Sequence, residues 1–156
     1  MKLEKKVFVT SEGMKRLKSE YKELINNKRP FIAKKIKKAR EHGDVSENAE
    51  YDAAREEQAF IEGRIQELEE ILRDCEVVKE NVKPNGIVSV GSKVRVHLDG
   101  VEEKYYIVGA PEANPLEGKI SHESPLGKAL LGKKAGDKVE FQAPVGKLLL
   151  HILEVR

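Results

Sequence analysis

Apolar positions recur early in the chain at Met14, Leu17, Tyr21 and Leu24, a 3, 4, 3 spacing that gathers them on one side of an α-helix. The stripe then changes phase and resumes at Ile32, Ile36 and Ala39. Pro30 lies at the change. It lacks an amide hydrogen, so it removes one helical hydrogen bond and predicts a bend in a helix that continues. A second stripe follows at Ala54, Gln58, Ile61, Ile65, Leu68, Leu72 and Cys75, with alternating 4 and 3 spacing and one polar member, Gln58. Two such stripes are most simply buried against each other. Gly43, between them, permits the backbone of a tight helix-to-helix turn. An antiparallel coiled-coil hairpin is therefore predicted, with Thr10 or Ser11 capping its start. Arms of about 30 residues would reach ~45 Å at 1.5 Å per residue, which describes a rod.

After Pro84-Asn85-Gly86 the period changes from helical to alternating. Short β-branched runs separated by Gly, Asp and Pro predict strands near residues 88–90, 93–98, 104–108, 139–142 and 147–155. Asp99-Gly100 predicts a hairpin turn. Residues 126–131 predict a short helix with Ser124 as cap and Pro125 at its first position. The expected class is α+β: a helical hairpin over residues 1–78, then an antiparallel sheet covering one short helix over residues 79–156.

Charge narrows the partners. Lys and Arg number 29 against 27 Asp and Glu, a formal charge of +2, so no whole-molecule field draws the chain to free nucleic acid or to membrane. Any nucleic-acid contact must be local or assisted by a partner. The lone Cys75 rules out an intrachain disulfide and argues against a cysteine-based zinc site. Met1-Lys2-Leu3-Glu4-Lys5-Lys6 has no apolar core of a signal peptide and no run is long enough to span a bilayer, so a cytoplasmic protein is expected. His97, His122 and His151 are scattered and suggest no metal site.

The predicted turn concentrates Asp44, Ser46, Glu47, Asn48 and Glu50. Two chemistries fit. Asp44-Val45-Ser46-Glu47 matches a capping box, in which Asp44 accepts from a backbone amide and Glu47 reaches back to the cap. Alternatively, two carboxylates at the end of a rod can share a divalent cation with a partner, since magnesium takes hard oxygen ligands, commonly one or two carboxylates completed by water and phosphate. Beside the turn runs Lys34, Lys35, Lys37, Lys38 and Arg40, with Arg55 on the return arm. Such a run is either a solvated helix face or a phosphate-binding strip.

The stretch Ala39-Arg40-Glu41-His42-Gly43-Asp44-Val45-Ser46-Glu47-Asn48-Ala49-Glu50-Tyr51, with Ala53-Ala54-Arg55-Glu56 after it, resembles the tip signature of the Gre family of transcription elongation factors. Phe60-Ile61-Glu62-Gly63-Arg64-Ile65 resembles the continuation typical of the GreA branch. A distant second segment, Ser124-Pro125-Leu126-Gly127-Lys128-Ala129-Leu130-Leu131-Gly132 with Gly136-Asp137, is also family-like. The resemblance covers essentially the whole chain. It implies a monomer that inserts its hairpin through the secondary channel of a backtracked RNA polymerase. It also implies that Asp44 and Glu47 help to hold the polymerase's second catalytic Mg2+, so that the polymerase cleaves the RNA near its 3′ end. RNA-facing roles fall on Arg40 and Arg55, and Lys34, Lys35, Lys37 and Lys38 extend the same strip. The second half is implied to be an FKBP-like docking domain. Its few aromatics, Tyr105, Tyr106 and Phe141, argue against a prolyl isomerase pocket. A channel-binding inhibitor with the same architecture is the other alternative, against which the intact Asp44 and Glu47 count.

Overall fold

The computed structural model describes residues 6–41, 49–79 and 86–156. It divides into two units, Lys15–Asp74 and a second made of Met1–Met14 with Cys75–Arg156.

Apart from the first turn of α1 (Ser11–Glu23), which belongs to the second unit, α1, a π-helical turn (Leu24–Lys28) and α2 (Arg29–Glu41) form one uninterrupted helical arm of the first unit, and α3 (Ala49–Asp74) is the other. The arms are antiparallel: Arg29 pairs with Glu62, and Lys35, further along, pairs with Glu57. The seam buries Ile32, Ile36, Ala54, Ile61 and Ile65, with Tyr21, Leu24, Ile25 and Tyr51 packed around them. Burying one such aliphatic side chain is worth ~1.5–3 kcal/mol, so this seam drives the pairing. The perturbation expected at Pro30 takes the form of the π turn just ahead of it, where the Arg29 amide bonds to the Leu24 carbonyl, five residues back. A π turn inserts one residue into the helical repeat. Continued without it, the 14, 17, 21, 24 stripe would arrive at Phe31; with it, the stripe arrives at buried Ile32, and Phe31 is 61% exposed.

The second unit is built on a five-stranded sheet. Its strands are β3 (Lys93–Leu98), β4 (Val101–Val108), β5 (Lys119–Ser121), β6 (Lys138–Ala143) and β7 (Gly146–Val155), in the order β5-β4-β3-β7-β6. Val94, Val96, Ile107, Val139, Leu150 and Ile152 form the core with Val88 and with Leu130 of α4 (Pro125–Leu130). Alternation explains this: in β3, Val94 and Val96 are buried while Lys93 and His97 are exposed, as a period of two requires. Asp99 and Gly100 both take positive φ, 49° and 85°, the signature of a type I′ hairpin turn.

Four expectations need correction. The sheet is mixed, because β5 runs parallel to β4. Residues 88–90 form no strand; the residue just before them, Ile87, makes an isolated bridge with Lys134. Cys75 does not end the helical stripe but opens β2 (Cys75–Val78), which pairs in parallel with β1 (Val7–Thr10). The boundary therefore falls at Asp74 and Cys75, and the first residues of the chain group with the sheet unit, in place of a division into 1–78 and 79–156.

Candidate functional site

Asp44, Glu47, His42 and Ser46 lie outside the described residues, so the expected tip chemistry is framed by its flanks. Glu41 ends α2 and Ala49 begins α3. Close to these ends the Arg40 guanidinium carbon sits 5.9 Å from the centroid of the Tyr51 ring, a cation–π distance that ties the two arms together.

Helix handedness sorts the basic strip. Each residue turns ~100° around the axis, and in an antiparallel pair the residues just before a seam position on both arms share one flank. Those just after share the other. Lys35 and Glu57 precede Ile36 and Gln58, and they pair at 2.8 Å; Glu20 and Arg64 precede Tyr21 and Ile65, and they pair at 2.7 Å. Lys38 precedes Ala39 and shares this flank. Arg40 follows Ala39, Arg55 follows Ala54, and Lys37 follows Ile36, so these three occupy the opposite flank, and all are exposed. Lys34 faces away from the seam and is also exposed. The six expected RNA-facing residues thus do not form one surface. Arg55 donates to Gln58 Oε1 at 3.1 Å, while Lys35 is engaged with Glu57.

Further from the tip, Arg29 makes a two-pronged bond to Glu62, both distances 2.7 Å. That guanidinium holds the Glu62 carboxyl below its ordinary range. Hydrogen bonds to Glu20 and Glu67 hold Arg64 firmly protonated. Arg29–Glu62 and Arg64–Glu20 bridge the two arms, and exposed pairs of this kind add little to stability.

The second motif forms the start of α4. Ser124 Oγ accepts from the Gly127 amide at 3.0 Å and donates to the Ser121 carbonyl at 2.7 Å. This is the expected cap, and it also anchors α4 to β5. A Cβ on Gly127 would lie 2.0 Å from that same carbonyl, so only glycine allows the approach. Beside it, Pro115, Ile120, Pro125, Leu126 and Phe141 line an apolar depression of about 280 Å³. Phe141 is its one aromatic side chain, which makes a poor proline-ring cage.

Sequence spacing did not reveal that His97 and His151 stand opposite each other on β3 and β7. Among the described residues no group of three or more His, Cys, Asp or Glu is placed to hold a metal ion. No described helix is long and apolar enough to cross a membrane.

Comparison with known proteins completes the picture. Residues 7–77 match the family described as "Transcription elongation factor, N-terminal", and residues 83–156 match "Transcription elongation factor, GreA/GreB, C-term". The chain is 50% identical over 149 residues to the transcription elongation factor GreA of Thermomicrobium roseum, covering 95% of this chain and 96% of the relative. It is 48% identical over 156 residues to the GreA of Shouchella clausii, covering 98% of each. Among solved structures, the GreA factor homolog 1 (Gfh1) protein of Thermus thermophilus aligns with 29% identity and a TM-score of 0.45, over 97% of this chain and 99% of that one. With both parts of the chain matched and half of its residues shared with a full-length relative, the chain belongs to the GreA/GreB family of transcription elongation factors.

Proposed function

We propose that this chain enters RNA polymerase through its secondary channel and stimulates cleavage at the 3′ end of backtracked RNA. The observation that carries this is the hairpin: two antiparallel arms, one of them a 26-residue helix that spans ~39 Å at 1.5 Å per residue, joined by the segment that holds Asp44 and Glu47. Their carboxylates are hard oxygen donors suited to Mg2+, and two alone bind it weakly, which fits a site completed by the polymerase. When bound, that ion activates water and stabilises the in-line displacement at phosphorus.

The chain's own part is to bring the two carboxylates to the polymerase site and to steady the RNA. Arg40, Arg55 and Lys37, exposed on one flank, neutralise phosphates of the extruded strand. Lys34, Lys35 and Lys38 lie off that flank, and Lys35 is held by Glu57. On this account the chain is an accessory factor, a cytoplasmic monomer whose sheet unit docks on the polymerase, and the nuclease is the polymerase itself.

The test uses stalled, backtracked elongation complexes carrying 3′-labelled RNA and magnesium. Wild-type protein is expected to release short labelled fragments. Asp44→Asn and Glu47→Gln are expected to lose this activity while binding polymerase with unchanged affinity. Undiminished cleavage by both variants would refute the mechanism, and wild-type binding without cleavage would establish the inhibitor alternative.

A further inference from the structure

Two large apolar side chains stand out on the hairpin: Phe31 is 61% exposed and Phe60 is 76% exposed. Phe31 lies one turn before Lys35 on α2, and Phe60 lies one turn after Glu57 on α3. Because the arms are antiparallel and Lys35 is bonded to Glu57, both rings fall on the same side of that ion pair, at one level of the rod. Each also directly precedes a buried seam residue, Ile32 or Ile61. They therefore share the flank opposite Arg40, Arg55 and Lys37.

Exposed phenylalanine at one level of both arms is not required by the seam, which is already filled. A full aromatic side chain buries ~150–250 Å², so the exposed parts of two rings offer roughly 270 Å². An interface that holds by itself needs ~1,200–2,000 Å² in total, so a second copy of this chain gripping here alone would not stay bound. The patch suits a partner already held by other contacts, and a rod inserted into a channel meets such a wall along its shaft.

We infer that Phe31 and Phe60 form a paired aromatic contact that seats the hairpin shaft against an apolar strip of RNA polymerase, while the arginine flank faces the RNA. This rests on the proposed entry into the channel. It gives the hairpin two working flanks, and the contact sets affinity, not the rate of the cleavage step.

The test measures binding and cleavage separately. Fluorescently labelled full-length protein is titrated with core polymerase, and the same proteins are titrated into backtracked complexes. Phe31→Ser with Phe60→Ser is expected to weaken binding and to raise the half-saturating concentration at least tenfold, with the saturating cleavage rate within twofold of wild type. Helical circular dichroism should be unchanged, and Phe31→Leu with Phe60→Leu should recover most of the affinity. Equal binding by wild type and the serine variant would overturn the inference, as would a lost saturating rate at unchanged affinity. So would a wild-type dimer in sedimentation that the serine variant abolishes. If wild type binds but does not cleave, the proposed function fails while the binding comparison still decides this contact; if wild type does not bind polymerase, both fall.

Discussion

The Glu112 carboxylate accepts two hydrogen bonds from Thr10, one from its amide at 2.7 Å and one from its hydroxyl at 2.5 Å. Thr10 Oγ1 in turn accepts from the Gly13 amide at 3.0 Å, the bond of an N-capping residue at the start of α1. An acid from a short 3-10 turn, Ala110–Glu112, 102 residues away, thus secures the first turn of α1 within the same unit. Both Thr10 and Glu112 are buried, and a carboxylate there is tolerated because its oxygens are bonded and the helix N-terminus is the positive end of the dipole.

Glu112→Ala is accordingly expected to destabilise the protein by about 2–4 kcal/mol, because it strips charge-assisted bonds and leaves the Thr10 donors buried. Gly13 supplies an internal check. Alanine is normally better than glycine inside a helix by ~1 kcal/mol, yet a Cβ on Gly13 would lie 1.9 Å from Glu112 Oε1. Gly13→Ala should therefore destabilise the native protein and stabilise the Glu112→Ala variant. Urea unfolding of the four proteins measures this, and additive effects would contradict the coupling.

The two flanks of the hairpin predict different salt behaviour. Each phosphate contact that is lost lowers the slope of log affinity against log salt by about 0.7 for single strands. Arg55→Ala and Lys37→Ala should each weaken cleavage at a fixed sub-saturating concentration and flatten its dependence on salt. Lys35→Ala, on the other flank and bonded to Glu57, should leave the slope unchanged and shift stability by no more than ~1 kcal/mol. Equal flattening by all three would mean that the strip acts as one surface.

What was legible in the sequence follows from the range of the interactions. The seams at Ile32, Ile36 and Ala39 and at Ala54, Ile61, Ile65 and Leu68 are local patterns of 3 and 4, and all are buried. The Asp99-Gly100 turn and the Ser124 cap are local too. By contrast, β1 and β2 are four residues each and pair Val7 with Cys75. Nothing within either segment announces a partner so distant, and Cys75 fits the helical stripe equally well. The Thr10–Glu112 bond is invisible for the same reason. At the tip, spacing leaves both a capping box and a pair of metal ligands open for Asp44 and Glu47, because both chemistries want short acidic side chains beside a helix start.

The ion pair of Arg29 and Glu62 predicts an acid-side response. The guanidinium's hydrogen bonds depress the Glu62 carboxyl, so its contribution is present above the ordinary carboxylate value and is lost as pH falls through the depressed one. Glu62→Gln should make the thermal midpoint less sensitive to pH as pH falls below the ordinary carboxylate value of 4.5. The effect is small because both groups are partly exposed. An unchanged pH profile in the variant would show that the pair adds nothing.

Tyr105 predicts the alkaline side. Burial, then its hydrogen bond to Glu103, pushes the phenol up from 10.0 to about 12. A raised value in the folded state means that the contribution is complete below the ordinary value and lost as pH rises from 10.0 towards about 12. Absorbance at the phenolate band should show a late-titrating tyrosine that is absent from Tyr105→Phe. A native protein in which replacing Tyr105 removes only a phenol titrating near 10.0 would contradict this.

The π turn yields the sharpest test of how the first arm is built. Extending the stripe from Met14, Leu17, Tyr21 and Leu24 by uninterrupted heptads reaches positions 28, 31, 35 and 38, whereas the buried residues are Ile32, Ile36 and Ala39. The mismatch is one residue, which is what one π turn adds. Deleting Asn26 from Leu24–Lys28 would bring all seam residues into a single α-helical repeat. It would also place Pro30 inside a regular helix, where its ring meets the carbonyl four residues back at a cost of ~3 kcal/mol. The deletion alone is therefore expected to be destabilising by about that amount, and the deletion combined with Pro30→Ala should recover stability to within ~1 kcal/mol of wild type. Deleting Ala33 instead should be worse and beyond rescue by Pro30→Ala, since it throws Ile36 and Ala39 out of phase with α3. Thermal unfolding followed by helical circular dichroism separates these cases, and equal damage from the Asn26 and Ala33 deletions in the Pro30→Ala background would show that the π turn is not what reconciles the two halves of the stripe.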